Sequence, residues 1–134
     1  MRRAPRTADG RGGFRFVIDA QLAAATRAAA ADRGLPIWRV FEDAIDLGIE
    51  YLPPVADALP EYAYSHTKVR GRTRAALFVY ADPDVVDALR AAASARDAHL
   101  WWVIEQALQH GLPLLPPPTR VPVLDYDEEL RHSA

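Results

Sequence analysis

The sequence predicts a mainly α-helical domain carrying one two-stranded antiparallel β-ribbon, built from two tandem copies of a strand–helix–helix unit. The first observation behind this is an internal repeat. A shift of 63 positions aligns residues 11–54 with 74–117 without a gap and gives 16 identities in 44 positions. Alanine richness inflates that count, but Trp38/Trp101, Gly48/Gly111 and Pro53-Pro54/Pro116-Pro117 do not depend on it. The second observation is that each copy switches from a period of two to a period of 3.6. The third is helix punctuation, with aspartate before and proline after.

In the first copy a short strand is expected from Phe14 to Ile18, and in the second from Leu77 to Ala81, because both are rich in aromatic and β-branched residues. Asp19 and Asp82 follow as helix caps, and Pro83 suits a first-turn position. The first helix is alanine-rich, with an expected core stripe of Leu22, Ala25, Thr26 and Ala29, and it ends near Arg33-Gly34. Its counterpart stripe is Val85, Ala88, Leu89 and Ala92. The second helix begins at Pro36 and buries Ile37, Val40, Phe41, Ala44, Ile45 and Gly48. The matching helix begins at His99 and buries Leu100, Val103, Ile104, Ala107, Leu108 and Gly111. Pro53-Pro54 and Pro116-Pro117-Pro118 stop both.

A lone strand leaves its backbone groups without partners, and a unit of about 40 residues buries too little surface to stand alone. The two strands are therefore expected to pair as one ribbon over four interlocked helices. The resulting organisation is a basic arm (1–12), a first repeat (13–53), a linker with a basic end (54–73), a second repeat (74–116) and a proline-rich acidic tail (117–134).

The chain of 134 residues is half apolar and a quarter charged, which is ordinary for a globular protein, and no apolar run reaches a bilayer-spanning length. Without cysteine there is no disulfide framework, thiolate metal site or cysteine nucleophile. The formal net charge is −2, but its distribution is uneven. Nine of the sixteen Lys and Arg fall in two stretches, Arg2, Arg3, Arg6, Arg11 and Arg15, then Lys68, Arg70, Arg72 and Arg74. One acid, Asp9, accompanies them, so two basic patches are mounted on an acidic body.

"FVIDAQL" and "VYADPDV", with "VFEDAI" and "VIEQAL" in the second helices, resemble the ribbon-helix-helix superfamily of bacterial repressors and antitoxins, the group of the Arc and methionine repressors. The similarity covers 11–53 and 74–116. It implies a tandem ribbon-helix-helix that folds as an intramolecular pseudo-dimer and lays its ribbon in the major groove of double-stranded DNA. Strand alternation then turns Phe14, Phe16, Ile18, Leu77, Val79 and Ala81 inward. The base-reading set is Gly13, Arg15 and Val17 with Ala76, Phe78 and Tyr80. Arg15 can donate twice to guanine, Tyr80 can hydrogen-bond, and Phe78 and Val17 suit thymine methyls. Arg2, Arg3, Arg6, Arg11, Lys68, Arg70, Arg72 and Arg74 precede the strand starts and are expected to hold flanking phosphates. Because Arg15 corresponds to Phe78 and Val17 to Tyr80, the expected target is non-palindromic. The chain departs from the family where a Ser or Thr opens the second helix: Leu35-Pro36 and Ala98-His99 stand there.

The resemblance implies a transcriptional repressor or an antitoxin or plasmid-maintenance regulator, in the bacterial cytoplasm at the nucleoid, acting as a monomeric pseudo-dimer or a homodimer of it. Neither catalysis, a cofactor, a metal nor a membrane partner is expected, and His66, His99, His110 and His132 read as solvated surface residues. "VPVLDYDEEL" in the tail is a candidate segment for a toxin or other protein partner. Trp38 and Trp101 read as structural packing, while Trp102, aligned with Arg39, fits either an exposed protein contact or partial core burial. A second reading is a protein-interaction module of the same fold that has lost DNA, suggested by the apolar outer strand and the negative total charge.

Overall fold

The computed structural model describes residues 10–60, 63 and 73–118. The elements run β1 (Gly12–Asp19), α1 (Ala20–Arg33), α2 (Ile37–Gly48), a 3₁₀ turn (Ile49–Tyr51), β2 (Arg74–Ala81), α3 (Pro83–Ala95), α4 (Leu100–Gly111) and a second 3₁₀ turn (Leu112–Leu114). The described residues are thus mainly helical with one two-stranded antiparallel sheet. The strands start earlier than composition suggested, at Gly12 and Arg74, because the ladder is extended by opposing Gly12 to Ala81 and Asp19 to Arg74.

Capping follows the expected chemistry. The Asp19 carboxylate accepts from the backbone N–H groups of Gln21 and Leu22, and Asp82 accepts from Asp84 with Pro83 in the first turn. Gly34 closes α1 in the left-handed conformation, φ 60°. The equivalent residue after α3 is Asp97, also at positive φ, 53°.

The core stripes of α1 and α3 are rotated from those expected. Ala23, Thr26 and Ala30 are buried in α1, and Val86, Leu89 and Ala93 in α3. Ala25 and Ala88 are exposed, while Leu22, Ala29, Val85 and Ala92 flank the core half-buried. Thr26 and Leu89 are buried as expected. The near-uniform alanine of α1 offers no apolar contrast, so its facing is decided by what it packs against. In α3 the contrast exists, Val86 and Leu89 against Asp84, Asp87 and Arg90, and the inward face runs through Val86 rather than Val85. The contrast in α2 and α4 is strong, and there the stripes match: Val40, Phe41, Ala44, Ile45 and Gly48, then Val103, Ile104, Ala107, Leu108 and Gly111, are buried. Ile37 and Leu100, in the first turns, are half-buried. Trp102 is buried in the core at 2% exposure, which excludes the exposed placement.

The helices α2 and α4 form the most extensive helix–helix contact. They cross at glycine: a Cβ on Gly48 would run into the Ala107 carbonyl, and one on Gly111 into the Ala44 carbonyl. Other contacts between the repeats are reciprocal. Glu42 on α2 accepts from Asp82 N–H at 2.8 Å, and Glu105 on α4 accepts from Asp19 N–H at 2.9 Å. Arg33 donates to the Pro116 carbonyl at 3.0 Å, and Arg96 to that of Pro53 at 2.9 Å. Each repeat thus caps a backbone group of the other. The 54–73 region contributes Ala63 to the core, and its carbonyl accepts from His99 N–H at 2.8 Å.

Candidate nucleic-acid interface

The outer face of the ribbon gathers all six residues expected to read bases. They form three directly opposed pairs, Gly13 with Tyr80, Arg15 with Phe78 and Val17 with Ala76. The ladder continues through a bond from Ala20 N–H to the Thr73 carbonyl. By alternation, those three pairs are the non-hydrogen-bonded ones, whose side chains lie closest and whose carbonyls turn to the ribbon's outer edges. Arg15, Phe78 and Tyr80 are exposed, Phe78 at 65% and Tyr80 at 53%, whereas Gly13, Val17 and Ala76 are half-buried. The Arg15 guanidinium carbon lies 5.8 Å from the Phe78 ring. With Gly13 opposite Tyr80, the surface is concave there: a shallow depression of about 230 Å³ lies between Gly13, Arg15, Phe78 and Tyr80.

The inner face carries the residues that alternation assigned to it. Phe16, Ile18, Leu77, Val79 and Ala81 are buried, with Phe16 stacked on Phe41 at 5.7 Å. Phe14 is half-buried at the rim and stacks on Phe16 at 5.9 Å.

The cations expected to hold phosphates divide into two groups. Arg2, Arg3, Arg6, Lys68, Arg70 and Arg72 lie outside the described residues, as does the 119–134 tail with its proposed partner segment. Arg11 and Arg74 are described, and both are engaged within the fold. Arg11 is only 16% exposed, pairs with Glu42 at 3.1 Å and lies 3.3 Å over the Trp38 ring. Arg74 donates to the Val17 carbonyl at 2.6 Å and lies 4.8 Å over Trp101. The repeated tryptophans are therefore seats for the repeated arginines, a role that residue-by-residue reading of either one does not disclose.

At the starts of α2 and α4 the caps are Pro36 and His99, neither of which makes a side-chain capping bond. His99 is half-buried and stacks on Trp101 at 6.1 Å, rather than being solvated, because Trp101 and the Ala63 carbonyl hold it against the body. Sequence reasoning left Arg27 and Arg90 unassigned although they recur at equivalent positions. Arg27 reaches the ribbon and donates to the Ala76 carbonyl at 2.6 Å, and Arg90 lies 6.0 Å from the Phe14 ring. Recurrence itself was the available signal.

Among the described residues no helix is long and apolar enough to cross a membrane, and no cluster of His, Asp and Glu could hold a metal ion. Comparison with family models, curated proteins and solved structures finds no match to this chain.

Proposed function

We propose that the chain is a tandem ribbon-helix-helix protein, an intramolecular pseudo-dimer that binds double-stranded DNA with the outer face of its ribbon in the major groove. The observation that carries this reading is the register, which opposes Gly13 to Tyr80, Arg15 to Phe78 and Val17 to Ala76 on one solvent-facing surface. Arg15 and Phe78 are equivalents under the 63-residue repeat and face each other, as the central residues of a symmetric ribbon would. The reciprocal Glu42–Asp82 and Glu105–Asp19 contacts, and the matched glycines in the helix crossing, support the same relation.

The major groove admits a two-stranded ribbon, and Arg15 supplies the fork that suits guanine O6 and N7. The physiological role this fits is a repressor, or an antitoxin or plasmid-maintenance regulator, working at the bacterial nucleoid. Because the two strands differ, a single chain reads a non-palindromic core. The exposed Phe78 and Tyr80 favour a second reading, a protein-interaction surface on the same ribbon.

Titration of labelled duplex DNA at several salt concentrations separates the two. DNA binding that weakens steeply with salt is expected, since each phosphate neutralised adds a slope of about −0.9. No salt-dependent shift with any duplex leaves only the protein-interaction reading.

A further inference from the structure

A ribbon lying along a groove has a phosphate wall beside each of its long edges, so the cations at those edges matter as much as the outward face. Arg27 on α1 and Arg90 on α3 are equivalents under the repeat. The Ala76 carbonyl belongs to a non-hydrogen-bonded pair, so it turns toward the edge of β2 that β1 does not cover. Arg27, exposed to solvent, donates to that carbonyl at 2.6 Å. On the other strand Arg90 lies beside Phe14 of β1 and is 57% exposed. Its contact with the Asp87 carboxylate is long, 3.8 Å, and that carboxylate is 71% exposed, so water competes strongly for the pair.

We infer that Arg27 and Arg90 each hold one backbone phosphate, on opposite walls of the groove. This rests on the DNA-binding reading above and assigns a contact that reading does not contain. A guanidinium has five N–H donors in a rigid fork. One can remain on the Ala76 carbonyl while the others face a phosphodiester oxygen, and the carbonyl bond then orients the fork. Arg11 and Arg74 are less suited to the task, since the first is seated on Trp38 and Glu42 and the second on Trp101 and the Val17 carbonyl.

The test uses the full chain and a labelled pool of random-sequence duplexes, with the dissociation constant measured across a salt series. Arg27→Gln and Arg90→Gln should each reduce the slope against log salt by about 0.9, and the double variant by about 1.8. Arg27→Lys should retain the slope, because the cation remains. Arg39→Gln removes an exposed arginine paired with Asp43 on α2 and should leave the slope unchanged. Thermal unfolding of each variant is recorded alongside. If the glutamine variants melt earlier but keep the wild-type slope, Arg27 and Arg90 are edge caps only and the inference is overturned. Wild-type protein that binds no duplex in the pool would overturn the DNA-binding reading itself, and the phosphate assignment with it.

Discussion

Arg15 occupies the centre of the ribbon's outer face, opposite the residue that the repeat makes its counterpart, Phe78. If the ribbon lies in a DNA groove as proposed, the two cannot contribute alike. A bidentate arginine discriminates bases by about 1–3 kcal/mol, whereas an exposed ring offers apolar contact. Arg15→Ala should therefore weaken binding to a selected site far more than Phe78→Ala does, read by duplex titration. Equal losses would remove Arg15 from its assigned role. A different asymmetry concerns the backbone. Gly34 adopts positive φ without a Cβ, while Asp97 holds the same place at φ 53° with one. Left-handed backbone costs a side-chain-bearing residue about 1 kcal/mol, so Asp97→Gly should raise the denaturant midpoint. Asp46 has its own signature. Partial desolvation raises the carboxyl of this solvent-exposed residue above the ordinary 3.8, and the carboxylates of Asp43 and Glu42 add to the effect. A raised folded-state value means that stability falls as pH rises from the unfolded value through the folded one. Because solvent screens an exposed carboxylate, the effect is small: Asp46→Asn should melt slightly higher than wild type at pH 7 and level with it near pH 3.

Helix pairs follow from their contact residues, and the α2–α4 crossing shows a conflict between local and tertiary preference. Alanine is the better helix former, by about 1 kcal/mol over glycine. At Gly48, however, a Cβ would meet the Ala107 backbone carbonyl, which cannot move without moving α4. Gly48→Ala should lower stability by about 1–3 kcal/mol, the usual scale of overpacking, despite the gain in propensity. Gly111→Ala should behave alike against the Ala44 carbonyl. Chemical denaturation decides the sign. A stabilised variant would mean that the helices do not approach this closely in solution.

At the scale of the molecule, pairing β1 with β2 inside one polypeptide changes the order of the folding reaction. The second strand is presented to the first at an effective concentration of roughly millimolar. The unfolding midpoint should therefore be independent of protein concentration down to nanomolar. A midpoint that falls on dilution would show that a second chain takes part in the folded state, by exchange of a strand or by association of intact units. The same connectivity lets the two halves of the ribbon diverge, which a homodimer cannot do.

Much of this was legible in the one-dimensional pattern. The repeat, the aspartate caps, the facing of β1 and β2 and the stripes of α2 and α4 all follow from residue type at a fixed period, because apolar and polar positions there contrast sharply. The six outward residues could be named in advance because a strand alternates its side chains without regard to its surroundings. Alanine-rich α1 lacked that contrast, so Ala23 and Ala30 were turned inward by packing alone, while in α3 two adjacent valines, Val85 and Val86, competed for the inward position and packing chose Val86. The seat of Arg11 on Trp38 and Glu42, the burial of Trp102 and the reach of Arg27 to the ribbon edge join residues remote in the chain. Such contacts depend on how the four helices cross, and that is set jointly by every residue in the core.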